Sequence, residues 1–382
     1  MSHTIGHLSF SLGYKSADAV SKSNLTYNSR SWAHTLRMWG TIIKGSLTSK
    51  NTIVWPWLCI NLIAVIITVA PLVSPIREWI ARIPKSTVED LEVPTEVLVA
   101  LGGLMSLLLA FRLNVSYERW WEARCLWGTI ISSSRSLLTH MIAVGAPRLD
   151  AEDVTAAEGV EAAEDAKHRG RLRQVAGWCI AFAISLKHHL LRSELPNLQC
   201  AQERAHHDLD GLDHLLQPQQ LRALEMSKHR PLYALGRLRE STEACVRAQG
   251  RGSGGSVPLA LVTFQMTEIF HVALTGCERI LRTPCPPGYV GVLRAVVILW
   301  LVLLPICLAS QLGSSVAIVP VTMFLSFLVL AIEEIAVEIE NPFGFETNDL
   351  PLDVFCLTVQ ADAMRLLDEN KQVHPEFGQS GV

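Results

Sequence analysis

Three groups of residues in this 382-residue chain could do chemistry. The first is Gly103, Leu107 and Phe111, followed at once by Arg112 and Asn114. Residues four apart share one face of a helix, so the first three make a narrow stripe. Such a stripe has two uses. It can pack against lipid or another helix, or it can line a constriction that passes ions only when wide enough to hold water. Spacing alone leaves both open. Arg112 and Asn114 would concentrate anions beside it, or Arg112 would pair with Glu118 or Glu122 and serve folding. The second group is Glu346, Asn348 and Asp349. Their oxygens suit a hard cation such as calcium, but two carboxylates in five positions are few. The other reading has Asn348 and Asp349 capping the next helix and Asp353 pairing with a neighbour. The third group is His188-His189 and His206-His207. Adjacent histidines point to different faces of a helix, so solvated surface positions are expected, and no resident metal.

Nucleophilic chemistry has no support. There is no HExxH, no GxSxG, no P-loop and no Gly-rich turn opening a helix after a strand. No pair of titratable residues lies within the apolar runs. The expectation is a non-enzyme without a cofactor. Nine scattered cysteines without a CxxC are read as free thiols.

The elements that must hold these residues are apolar. Asn51–Ile76 carries no charge, nor do the 38 residues Ala295–Ile332. About 20 residues cross a bilayer core as a helix, so the second run suffices for two crossings and a turn at Gln311–Ser315. The uncharged run Val97–Phe111 is shorter, yet no Pro or Gly interrupts the chain from there to Gly128. One long helix is expected, apolar first and then charged as it enters water. Overall, 18% of residues are charged against 49% hydrophobic. Soluble domains carry about 25% charged residues. The net charge of −3 gives no field for nucleic acid.

The organisation follows. Residues 1–27 are read as a flexible tail without a secretory signal. Residues 28–128 form a first membrane region with spans at about 52–73 and 95–116. Residues 129–285 form a cytosolic helical region with a loop-like acidic insertion at 145–170 and a Gly/Ser linker at 250–256. Helical periodicity marks 172–191 and 217–248, and 257–282 reads as a packed amphipathic helix. Residues 286–340 form a second membrane region with spans at about 290–310 and 315–337, and 341–382 is a cytosolic segment. Four crossings put both termini on one side. Lys44 and Lys50, with Arg30 and Arg37 upstream, assign that side to the cytoplasm or its stromal equivalent. Trp120, Trp121 and Trp127 are expected in the core.

Three stretches resemble the bestrophin family, in its prokaryotic, fungal and plant branch. Phe111-Arg112-Leu113-Asn114 through Tyr117, Arg119-Trp120-Trp121-Glu122 and Leu126-Trp127-Gly128 is similar to the family's first motif. Glu278-Arg279-Ile280, then Arg282-Thr283-Pro284, is similar to the second. Asn341-Pro342-Phe343-Gly344, then Asn348-Asp349-Leu350-Pro351-Leu352-Asp353, is similar to the third. The resemblance covers residues 28–365. It implies an all-α, four-span, homopentameric channel that passively conducts monovalent anions such as chloride, bicarbonate or nitrate. It places an apolar neck at Gly103, Leu107 and Phe111, with Gly where many members carry a bulkier residue. In animal members the segment after the third motif is densely acidic and binds calcium. That density is absent here, leaving Glu346, Asn348 and Asp349 as weak candidates. Plasma membrane and chloroplast thylakoid both fit the resemblance. The alternatives are a cation-conducting homologue, since some bacterial relatives pass sodium, and a non-conducting membrane scaffold.

Overall fold

A computed structural model describes residues 54–70, 94–145, 158–191, 209, 211–249, 256–313, 315–346 and 348–373. The N-terminal tail, His206-His207 and most of the Gly/Ser linker lie outside them. Every regular element among the described residues is helical: α1 (Val54–Val69), α2 (Thr95–Gly145), α3 (Glu158–Leu191), α4 (Pro218–Met226), α5 (Arg230–Gln249), α6 (Ser256–Arg282), α7 (Pro287–Leu312), α8 (Ile318–Glu340) and α9 (Leu352–Val373).

α2 is the expected long helix. Its 51 residues contain no proline, and at 1.5 Å per residue it runs about 76 Å. Its two halves sit in different cores. The upper half contributes Met105 and Leu109 to a small apolar cluster with Ile60, Leu293, Val297, Leu301 and Leu330 from α1, α7 and α8. The lower half contributes Ala123, Trp127, Ile130 and Leu137 to a much larger core built with α3, α5, α6 and α9. α3 is the centre of that core, since Val175–Ala183 is fully buried apart from the missing side chain of Gly177.

Two glycines allow close approach. A Cβ on Gly102 would stand 2.9 Å from Trp300 Nε1, whose indole N–H donates to the Leu98 carbonyl at 3.1 Å. A Cβ on Gly177 would stand 2.8 Å from Leu216 Cδ2 and 3.0 Å from Leu215 Cβ. Both are packing constraints on the backbone and not conformational ones. Gly313, which ends α7, has φ +60°, the left-handed region that favours glycine. It turns the chain toward α8, where the sequence expects the hairpin.

Four helices are long and apolar enough to cross a membrane: α2, residues Leu259–Arg282 of α6, α7 and α8. α1 is apolar but shorter, at 16 residues. The expected first span, about 52–73, is described only over α1, and α6, expected as a packed cytosolic helix, is by length and composition also able to cross. α6 qualifies through its apolar exposed face, Leu261, Phe264 and Val272. Its other face buries Phe270, Ala273, Leu274 and Cys277 in the large core. The apolar windows of these four helices are only 17% to 33% buried within the chain. An apolar surface left that bare requires lipid or further protein around it.

Two local expectations change. Residues 158–170 are the first turns of α3 and not loop. The single helix expected over 217–248 is broken between Met226 and Arg230. Pro231 explains the break, because inside a helix its ring would clash with the carbonyl four residues earlier, whereas in the first turn of α5, where it stands, no helical hydrogen bond is lost.

Gly177→Ala is expected to lower stability by about 1–3 kcal/mol through overpacking. Gly170→Ala, whose Cβ meets nothing within 4 Å, should be neutral or raise stability by up to about 1 kcal/mol. Thermal unfolding of the detergent-purified protein checks both.

Candidate functional site

The stripe and its surroundings are set by which way each turn of α2 faces. Met105 and Leu109 are 6% and 5% exposed, and Arg112 is 1% exposed. These residues look toward α7 and α8. Leu107 and Phe111 are 53% and 55% exposed. A Cβ placed on Gly103 meets nothing within 4 Å. The three stripe residues thus share a face that no helix among the described residues covers. Asn114 continues that face, its amide donating to Glu118 Oε1 at 3.0 Å.

Arg112 is on the covered side. Its Nη2 donates to Glu340 Oε2 at 2.6 Å, and its Nε lies 3.9 Å from Glu333 Oε2. The partner expected on its own helix, Glu118 or Glu122, is displaced for a geometric reason. Those residues lie more than about one and a half turns away, whereas α8 crosses directly beside Arg112. Glu340 is held from both sides, because its Oε1 accepts the Cys285 backbone N–H at 2.8 Å. Arg294 Nε donates to Glu333 Oε1 at 2.9 Å. The guanidinium closest to the stripe is therefore committed to carboxylates and not presented to an ion.

About two turns below, Arg119 binds two helix ends at once. Nη2 and Nη1 donate to the carbonyls of Ile280 (2.7 Å) and Thr283 (2.6 Å) at the end of α6. Nε donates to the Glu340 carbonyl at 3.1 Å, at the end of α8. Terminal carbonyls have no partner within their own helix, and a fixed cation complements the negative end of the helix dipole. Arg279 pairs with Glu122. Trp120 Nε1 donates to the Asn348 carbonyl at 2.9 Å, and Asn348 Nδ2 donates to Glu338 Oε2 at 2.9 Å. Phe343 is fully buried, and the Pro342 carbonyl accepts the Leu350 N–H at 3.0 Å. The three sequence motifs are thus one contact region between α2, α6, α8 and the start of α9.

Trp127 is buried as expected and Trp120 is partly buried, but Trp121 is 53% exposed and stands against Tyr117. Asn348 and Asp349 do not cap α9. Asn348 is held by Glu338, and Asp349 Oδ2 accepts the Glu346 N–H at 2.7 Å. Pro351 stands at the entry to α9 instead. Asp353 pairs with Lys187 Nζ at 2.9 Å, which is the neighbour pairing anticipated. Glu346, Asn348 and Asp349 are not among the groups of three or more ligand side chains that converge in the described residues. The one group that converges is His189, His229 and Glu278. His189 belongs to a pair the sequence singles out, but its partners His229 and Glu278 come from other elements, and no spacing connects them. All eight described cysteines are free.

The chain matches the model of the Bacterial/Fungal Bestrophin protein family over residues 26–365. It is 30% identical to a voltage-dependent anion channel-forming protein of Synechocystis sp., over 72% of this chain and 78% of that one. It is 29% identical to the voltage-dependent anion channel-forming protein YneE of Escherichia coli K12, over 70% and 75%. The fold matches the crystal structure of a bacterial bestrophin homolog from Klebsiella pneumoniae at a TM-score of 0.62 and 24% identity, covering 83% of this chain and 99% of that one. The chain belongs to the bestrophin family.

Removing one partner of a buried ion pair strands the other charge, at a cost of about 3–5 kcal/mol. Arg112→Met is therefore expected to destabilise strongly. Arg135→Ala breaks an Arg135–Asp362 pair whose arginine is 53% exposed and should cost at most about 1 kcal/mol. Parallel thermal melts of the two variants measure the contrast.

Proposed function

We propose that the protein is a passive channel for small monovalent anions, chloride foremost, with bicarbonate and nitrate as further permeant ions. It works as a homopentamer whose axis is lined by α2, and its narrowest part is formed by Gly103, Leu107 and Phe111. The observation that carries this is the exposed stripe itself. On the same turns of α2, one face is sealed against α7 and α8, while Leu107 and Phe111 stand free beside a glycine whose Cβ position is open. The anion channel-forming names of its relatives agree with that reading.

The mechanism follows from what the stripe lacks. Leu107 and Phe111 offer no charge, and Arg112 behind them is neutralised by Glu340. An ion passing there finds no tight site. It loses part of its water in an apolar constriction that conducts when wide enough to stay wet. Phenyl ring edges carry partial positive charge, so Phe111 turned edge-on favours an anion without holding it. Gly103 makes the upper end of the constriction wider than a large side chain would.

One observation favours a second reading, cation conduction. Glu118 is exposed on the stripe face below Phe111, and a carboxylate there attracts cations.

Reversal potentials of the purified protein in planar bilayers under a salt gradient distinguish the two. Reversal near the chloride equilibrium potential is expected, and reversal near the cation potential overturns the anion assignment. Leu107→Ala and Phe111→Ala should each raise the current severalfold. A non-conducting scaffold would show no current and no change. Glu118→Gln should move the reversal potential further toward that of chloride.

A further inference from the structure

His189 near the end of α3, His229 just before α5 and Glu278 on α6 bring three ligand atoms within 4.8 Å of one another. Both imidazole Nε2 atoms stand 2.8 Å from the same carboxylate oxygen, Glu278 Oε1. That oxygen satisfies one of them. His229 Nε2 is hydrogen-bonded to it, whereas His189 Nε2 is shielded from solvent and off the line of a directed bond. Two imidazole nitrogens thus converge on one carboxylate oxygen, and one of them, out of contact with water, makes no directed hydrogen bond to it.

We propose that His189, His229 and Glu278 form a binding site for a divalent cation of the zinc class, with water as the remaining ligand. Two imidazole nitrogens and one carboxylate oxygen are a ligand set that zinc takes with an open fourth position. Tetrahedral zinc with bonds of about 2.0–2.1 Å separates its ligands by about 3.3 Å, so the two nitrogen–oxygen gaps need only widen slightly. The farthest ligand pair closes by side-chain rotation. With Glu278 ionised, the set carries one negative charge. Side-chain exposures of 19% for His189, 34% for His229 and 19% for Glu278 leave a route for the ion.

Two features oppose loading. Arg282 Nη2 lies 3.8 Å from Glu278 Oε1, but its side chain is 65% exposed and can turn away. His229 Nδ1 accepts the Leu232 N–H at 3.3 Å, and ligation through Nε2 moves a proton to Nδ1 and gives up that long bond.

The site would tie α3 and α5 to α6 immediately before the turn of α6 that grips α2. Glu278 is followed by Arg279, which pairs with Glu122, and by the Ile280 and Thr283 carbonyls that hold Arg119. Zinc would thereby stiffen the attachment of the pore helix to the aqueous body.

The test uses the full chain in detergent, stripped with a chelator and titrated with zinc sulfate against a chromophoric competitor. One tight equivalent per protomer is expected. His189→Ala and Glu278→Gln should each weaken it at least tenfold while circular dichroism and elution volume stay unchanged. X-ray absorption at the zinc edge of the wild-type protein, loaded with one equivalent, should show nitrogen and oxygen at about 2.0–2.1 Å. The measurement also covers the case in which a variant fails to fold. A sulfur shell at about 2.3 Å would place the ion on exposed cysteines such as Cys125 and overturn the proposal. Absence of tight binding, or equal affinity in folded variants, would overturn it too. Cys179 and Cys245 are poor competitors, since burial pushes their thiols up to about 12 and about 11.

Discussion

The interaction on which the rest depends is the Arg119 guanidinium lying across two helix ends. α6 and α8 both stop beside α2, each leaving terminal carbonyls with no partner in its own helix. Arg119 reaches both, and it reaches them with three nitrogens. A planar five-donor group can do this, whereas a lysine has a single point of charge. Around it, Trp120 ties α2 to the chain entering α9, and Arg279 ties α6 back to Glu122. The smaller and larger cores share no buried residue, and α2 runs through both. The junction is where their relative position is decided.

That explains which parts were legible in the sequence. The uncharged runs announced α1, α7 and α8, because lipid-compatible composition is local. The unbroken stretch past Phe111 announced α2, because helix breakers are local too. The motif residues were recognisable as a set, although their geometric role was not. Arg119 acts on Ile280, Thr283 and Glu340, and no spacing rule connects positions more than 150 apart. The partner of Arg112 was missed for the same reason. Nearby acids on its own helix were the natural expectation, and the crossing of α8 decided otherwise. Trp121 was placed in the core from its type alone, but on a long helix two adjacent tryptophans cannot both face the same way. Pro231 was readable as a helix breaker and marks the one break in the 217–248 stretch.

The stripe on α2 and the ion pairs behind it form a single arrangement. Burying Arg112 against Glu340 and Glu333 takes a full positive charge away from the open face. The charge still serves the fold, since it joins α2 to α8 at the level where α8 leaves the apolar layer. What remains on the open side is hydrocarbon, a bare glycine and, lower down, the amide of Asn114. In the channel proposed above, weak and unspecific attraction suits passage better than storage, because an ion held firmly leaves slowly.

α2 has no joint. Its 51 residues lack proline, and neither Gly102 nor Gly128 interrupts its regular helix. A beam of this kind acts as a lever. Any tilt imposed on its lower end by the helices of the larger core swings the upper end through a distance set by the ratio of the two arms. With the Arg119 junction as the fulcrum, repacking around the lower half of α2 reaches Leu107 and Phe111 as a smaller sideways shift of the open stripe.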